Sequence, residues 1–253
     1  DVLMFDLRQF AALAPDWYLR LHYHHELDST NDEARRLAEA GAEHGTVVLS
    51  DHQTAGRGRR GASWVSEPGD GLLFSIVVRP SFPKTNWSRI ALAAGIGIAE
   101  TLNARWGVQA QVKWPNDIYI QDKKCAGILT EAREDFVIVG IGLNVLSAPP
   151  SENARIEAIA VADVVQCPVS REMVLAALLT GIMAEVDACA ERFEAQLERM
   201  RGACYLTGKH IKFSAHDKQL SGLVRGVGSD GSLQVEVDGK LMSFSQASEI
   251  NVL

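Results

Sequence analysis

Gly56-Arg57-Gly58-Arg59-Arg60-Gly61-Ala62-Ser63-Trp64-Val65-Ser66-Glu67-Pro68-Gly69 is the stretch on which the fold turns. Its first six residues match Gly-x-Gly-x-x-Gly, the phosphate-binding turn of a doubly wound dinucleotide fold. Such a turn must open a helix whose N-terminus holds the pyrophosphate, with an acid about twenty residues on for the ribose. Ser63 to Gly69 cannot start a long helix, and no Asp or Glu stands between Asp70 and Glu100. The dinucleotide fold is excluded. Three arginines among three glycines can instead fold over an anion, guanidinium groups donating to carboxylate or phosphate, or can form a solvated surface loop. Trp64, just past them, stacks on a base, covers a pocket or is core.

On the N-terminal side, Thr30-Asn31-Asp32-Glu33 has capping-box spacing and predicts a helix over 31–40, closed by Gly41 in the left-handed conformation. β-Branched residues over 46–51 predict a strand leading into the arginine loop. On the C-terminal side, the apolar run 72–79 predicts a buried strand that ends at Pro80 and Pro83. Ile90, Leu92, Ala93, Ile96, Ala99 and Leu102 recur with helical period over 88–106, where Gly95 and Gly97 permit close packing. Strand-like runs follow at 111–114, 118–120, 126–132 and 136–145, with a turn at Asp122-Lys123. Together these predict an α+β fold with a mixed, largely antiparallel sheet backed by helices. After Pro149-Pro150 come helices over 172–186 and 192–200. From Gly208 onward short strands at 210–214, 220–227, 233–237 and 241–245 alternate with Asp230-Gly231 and Asp238-Gly239 turns, which predicts a small β-barrel. The expected domains are therefore residues 1–207 and 208–253; residues 147–169 carry no usable motif.

The 253 residues suit one large domain and one small one, and 47% hydrophobic with 23% charged residues is a globular composition. No apolar run is long enough to span a bilayer, and the start lacks a basic, then apolar, leader. Cys125, Cys167, Cys189 and Cys204 are too scattered for a disulfide framework or zinc, so a reducing cytoplasm is expected. A net charge of −7 opposes general nucleic-acid binding and makes the arginine loop conspicuous.

Three further motifs carry chemistry. Lys113-Trp114-Pro115-Asn116-Asp117 is a turn, or a site where a lysine meets phosphate and a carboxylate shares Mg²⁺ with it. Lys123-Lys124 is a solvated hairpin tip, or brings one lysine inward beside the arginine loop. Val139-Gly140-Ile141-Gly142-Leu143-Asn144 has strand glycines that admit either a ligand, with Asn144 on its polar edge, or the long helix 88–106. His22, His24 and His25 beside Glu26 lack further ligands at metal spacing and read as an exposed strand. Walker A and Gly-x-Ser-x-Gly sequences are absent.

In order, Ser29-Thr30-Asn31, Gln53-Thr54-Ala55 with the Gly56–Gly61 loop, Lys113 to Asp117, Lys124 with Ala126-Gly127-Ile128-Leu129, and Gly142-Leu143-Asn144 resemble the biotin protein ligases, and the C-terminal β-unit resembles their SH3-like domain. The resemblance implies a class II synthetase-like fold and a two-step reaction. Biotin and ATP give biotinyl-5′-AMP, and a lysine of a biotin carboxyl carrier protein domain, part of a biotin-dependent carboxylase, then takes the biotinyl group. By motif, Ser29, Thr30, Gln53, Arg57, Gly58, Arg59 and Lys124 hold biotin, while Trp64, Asn116 and Asn144 face the adenylate. Arg59, Lys113 and Lys124 carry the catalytic charge, and Asp117 takes Mg²⁺. Asn31, Gly56, Arg60, Gly127 and Gly142 complete the binding set. The arginine loop is similar to a lid that keeps the anhydride from water. Fewer than thirty residues precede Ser29, so a catalytic type without an N-terminal helix-turn-helix is expected. A lipoate or octanoate protein ligase and a biotin-responsive repressor are the alternatives. Exposed sheet edges permit a homodimer without demanding one.

Overall fold

Strands whose central members are buried on both faces build the larger sheet: β1 (Leu21–Leu27), β2 (Val47–Gln53), β3 (Gly71–Val78), β4 (Gln111–Lys113), β5 (Asp117–Ile120), β6 (Lys123–Ala132) and β7 (Val137–Asn144). The computed structural model describes residues 4–150 and 157–253. The strands lie in the order β1-β2-β3-β7-β6-β5-β4; β1 runs parallel to β2 and every other pairing is antiparallel. The mixed, largely antiparallel sheet is thus present. Successive strand residues face opposite ways. Val47, Leu49, Phe74, Ile76, Val139 and Ile141 therefore enter one core, whereas Val48, Val77 and Ile138 enter a second.

Among the described residues six α-helices flank the strands: α1 (Leu7–Leu13), α2 (Pro15–Tyr18), α3 (Thr30–Glu39), α4 (Arg89–Trp106), α5 (Arg171–Ala188) and α6 (Phe193–Ala203). Helix α3 closes the second core with Ala34 and Ala38. On the other face α4 is apolar around most of its circumference because it lies between the sheet and α5. A Cβ on Gly97 would come within 2.7 Å of the Gly181 carbonyl oxygen, so the small residue permits this helix crossing. Helix α4 ends at Gly107, whose φ of 64° is the left-handed cap that a glycine adopts without strain.

The capping box expected at Thr30 to Glu33 does not form. Ser29 is the N-cap and makes no side-chain capping bond. Thr30 Oγ1 donates instead to Gln53 Oε1 at 3.0 Å, and Glu33 receives the Arg36 guanidinium at 2.6 and 2.8 Å. A tertiary partner for Thr30 and an in-helix partner for Glu33 replace the local cap. The β5–β6 turn falls on Gln121 and Asp122, both at positive φ, one residue before the expected pair. Helices α1 and α2 lie outside the elements expected from the sequence.

The smaller sheet comprises β8 (His210–Ala215), β9 (Lys218–Val227), β10 (Leu233–Val237), β11 (Lys240–Phe244) and β12 (Ser248–Val252). It is antiparallel in the order β11-β10-β9-β8-β12, a barrel-like sheet curled over Phe213, Val224, Val235 and Phe244. Strand β12 lies beyond the last strand expected from the sequence. Trp114 Nε1 donates to the Gly231 carbonyl at 2.9 Å, tying the two sheets together beside the Lys113 to Asp117 turn. Among the described residues no helix is long and apolar enough to cross a membrane.

Candidate active site

Beyond the N-terminus of α3 the sheet carries glycine on the face that α3 would otherwise cover. Gly127 on β6 pairs with Gly142 on β7, and Gly140 lies two residues along. A Cβ on Gly142 would stand 2.7 Å from Trp64 Cδ2 and Nε1, one on Gly127 3.0 Å from Trp64 Cζ3, and one on Gly140 2.8 Å from Asn31 Cγ. The β7 glycines therefore do not admit α4, which packs on the opposite face. They admit the Trp64 indole and the Asn31 amide. The indole N–H is buried and has no hydrogen-bond partner among the described residues.

Above this floor is a cavity of about 820 Å³, within the range of small-molecule sites. Ser29, Thr30, Asn31 and Gln53 line one region, and Arg59, Lys113, Asn116, Asp117 and Lys124 another; Arg57, Gly58, Arg60, Trp64, Gly127 and Gly142 also border it. The neutral region is held rigidly. Gln53 Oε1 accepts from the Thr30 backbone N–H at 2.8 Å as well as from its hydroxyl, while Ser75 Oγ lies 2.8 Å from Thr30 Oγ1 and donates to Asn31 Oδ1 at 2.6 Å. Asn31 Nδ2 donates to Glu131 Oε2 at 2.7 Å.

The cations are differently placed. Arg59 Nη1 donates to Asn116 Oδ1 at 3.2 Å, and burial lowers the Arg59 pKa, with Arg60 adding to the effect. Lys113 Nζ donates to Tyr119 Oη at 3.0 Å; burial is the main cause that lowers its pKa, against an opposing pull from Asp117. Lys124 is the inward member of its pair, with Nζ 2.8 Å from Asp117 Oδ1, whereas Lys123 turns out to Glu157 at 3.0 Å. Arg57, expected to face an anion, forms a two-pronged pair with Asp32 at 2.6 and 2.9 Å. That pairing lowers the Asp32 pKa and raises that of Arg57.

Gly56 and Asn144 do not line the cavity. Gly56 shapes the loop: its carbonyl accepts from Trp64 N at 2.9 Å, and a Cβ there would meet the Trp64 carbonyl oxygen at 2.7 Å. Asn144 is buried, and its Nδ2 donates to the Ile159 carbonyl at 3.2 Å. No group of three metal-ligating side chains occurs among the described residues, the β1 histidines included. Asp117 by itself suits Mg²⁺ only together with phosphate oxygens, and one of its oxygens already meets Lys124.

Sequence reasoning missed Ser75, Glu131 and the contribution of the smaller sheet, from which Ser214, Asp217, Lys218, Gln219 and Glu249 reach the cavity. Ser75 had a signal: a hydroxyl inside an otherwise apolar buried strand needs a partner. The β8–β9 residues had none, because their register with the larger sheet is purely tertiary. A second polar cluster lies away from the cavity, where Arg171 pairs with Asp51 at 2.6 Å, both almost wholly buried, and the Tyr23 hydroxyl donates to the same carboxylate.

Residues 24–144 match a family model described as the biotin/lipoate A/B protein ligase family. The bifunctional ligase/repressor BirA of Escherichia coli is 30% identical over 224 residues, covering 84% of this chain and 68% of that protein. The biotin--[acetyl-CoA-carboxylase] ligase of Mycobacterium tuberculosis is 28% identical, covering 88% of this chain and 86% of that one. BirA of Bacillus subtilis is 43% identical, but the match spans 51% of this chain and only 41% of that protein's length. Among solved structures, the biotin protein ligase of Aquifex aeolicus in complex with biotin and ATP superimposes with a TM-score of 0.80 at 27% identity, covering 92% of this chain and 98% of that one.

Proposed function

This chain belongs to the biotin/lipoate A/B protein ligase family, and from that premise we propose that it is a biotin protein ligase, making biotinyl-5′-AMP and passing the biotinyl group to a lysine of a carboxylase carrier domain. The observation that carries the reading is the single cavity in which a rigid neutral region, Ser29, Thr30 and Gln53, adjoins a cationic one, Arg59, Lys113 and Lys124. The first suits a ureido ring and the second a carboxylate and a triphosphate. A relative named for acetyl-CoA carboxylase, and a solved neighbour holding biotin and ATP, support the same substrates.

In the first step a carboxylate oxygen bonds to the α-phosphorus of ATP while the bond from that phosphorus to the bridging oxygen of pyrophosphate breaks. Two anions must approach, so charge neutralisation is the principal task. Lys124 and Arg59 would neutralise the carboxylate and the α-phosphate, and Lys113 the leaving pyrophosphate. Partial burial strengthens each of these attractions. Mg²⁺ would arrive with the nucleotide and share Asp117 with phosphate oxygens, supplying further positive charge. Asn116, whose Nδ2 is committed to the Ile128 carbonyl at 2.7 Å, holds its Oδ1 toward Arg59 and so fixes the guanidinium. In the second step the neutral carrier amine bonds to the acyl carbon, AMP leaves with the electron pair of the anhydride bond, and the amine's surplus proton passes to the released phosphate or to water. No protein nucleophile takes part. The buried indole N–H of Trp64 is a donor available to a bound ligand. We assign residues 1–207 to a catalytic domain and 208–253 to an SH3-like domain whose β8–β9 end walls the cavity.

The test is to incubate the protein with biotin, MgATP and a biotin carboxyl carrier domain and weigh the carrier. One added biotinyl group is expected. Pyrophosphate exchange supported by lipoate and not by biotin would overturn the assignment.

A further inference from the structure

The three loop arginines do not share one task. Arg57 is turned away from the cations of the cavity and grips Asp32 on the first turn of α3 with both terminal nitrogens, at 2.6 and 2.9 Å. Glu131 on β6 stands behind it, its Oε2 3.7 Å from Arg57 Nη2. Both carboxylates are themselves fixed. Asp32 Oδ1 lies 2.9 Å from Arg35 Nη2, and Glu131 Oε2 accepts from Asn31 Nδ2 at 2.7 Å. Asn31 continues through Ser75 to Thr30 and on to Gln53, one residue before the loop departs. The loop is thus tied to α3 at its root through Gln53 and again at Arg57. The same turn of α3 presents Ser29 and Thr30 to the cavity.

We propose that Asp32, backed by Glu131, is a positioning residue that latches the arginine loop shut through Arg57, leaving Arg59 as the arginine that meets the reacting anions. The latch rests on the ligase assignment and refines it. Because the turn of α3 that carries Asp32 also lines the neutral region of the cavity, a ligand resting on Ser29 and Thr30 steadies the carboxylate that Arg57 must find. A two-pronged guanidinium–carboxylate pair is directional, so it sets the path of the loop as well as its closure. Arg57 is about two-fifths exposed, with a side-chain accessibility of 39%, so salt weakens the latch without abolishing it.

The experiment measures how fast preformed biotinyl-adenylate leaves the parent, Asp32→Asn, Arg57→Gln and the double variant, with thermal denaturation as a folding control. Release from Asp32→Asn should be roughly two- to fivefold faster than from the parent, the range for a half-exposed two-pronged pair. The double variant should leak no more than Arg57→Gln, because both changes break one contact. Added salt should speed release from the parent more than from either variant. Release from Asp32→Asn that is unchanged or slower, or effects that multiply in the double variant, would show that the Asp32–Arg57 pair does not hold the loop and overturn the latch alone. A parent that forms no adenylate overturns the ligase assignment and the latch together.

Discussion

Replacing Gly142 by alanine tests whether the Trp64 indole rests on the β6–β7 glycines. The new Cβ would stand 2.7 Å from two ring atoms, whereas unstrained carbon contacts lie at about 3.5–4.0 Å. The ring must therefore retreat by roughly 1 Å, and it is rigid, so the loop must move with it. Overpacking of this kind costs about 1–3 kcal/mol, while removing a glycine from a strand contributes about 0.5–1 kcal/mol in the opposite direction. The net expectation runs from no change to destabilisation by about 2.5 kcal/mol, a fall in Tm of up to roughly 10 °C for a chain of this size. Function should suffer more than stability. Biotin with MgATP should raise the Tm of the parent, and that rise should shrink in the variant because the floor of the cavity is displaced. Calorimetry with and without ligands reads both quantities. Trp64→Ala supplies the control: adding Gly142→Ala to it should cost nothing further, since the clash has gone. If Gly142→Ala alone raises the Tm and preserves the ligand-induced rise, the indole does not lie on this strand in solution.

Other outcomes follow from the same geometry. Arg59→Gly should release biotinyl-adenylate about tenfold faster or more, the loss expected for a charged hydrogen bond, and should label bystander proteins in a mass-spectrometric survey; equal retention would remove Arg59 from the lid. Burial makes the Lys113 ammonium deprotonate below the ordinary lysine value of about 10.4, so the alkaline limb of kcat/KM for ATP should begin early and move to higher pH in Lys113→Arg. The sign for folding is opposite: between the lowered folded pKa and the unfolded one the unfolded chain binds more protons, so this group favours the fold as pH rises. Arg171→Met should leave Asp51 buried without its guanidinium and cost about 3–5 kcal/mol by chemical denaturation, and a loss below about 1 kcal/mol would mean that water reaches the carboxylate.

Elements that rest on local composition and periodicity, and the residues that make up the site, can be read from the chain before it folds. The β-branched and apolar runs of β2, β3 and β7, the apolar recurrence along α4 and the order of the motifs were all legible, because each is local in the chain. The inventory of cations was legible only from the ordered set of motifs, since each motif alone also suited a solvated loop, a turn or a hairpin tip. What each side chain faces was not. Capping-box spacing pointed Thr30 at its own helix, yet the half-buried amide of Gln53, 23 residues away, takes its hydroxyl. Asn144 resembled a ligand contact, but its amide is committed to Ile159 in the core. The glycines of β7 read as room for a ligand or for α4, and only the pairing of β7 with β6 puts Trp64 above them. Arg57 and Arg59 are two residues apart in the same motif, and one meets Asp32 while the other meets Asn116. The physical reason is common to all of these cases. Periodicity encodes which face of an element is buried, whereas a hydrogen bond or a close contact is decided by which distant element folding brings to that face.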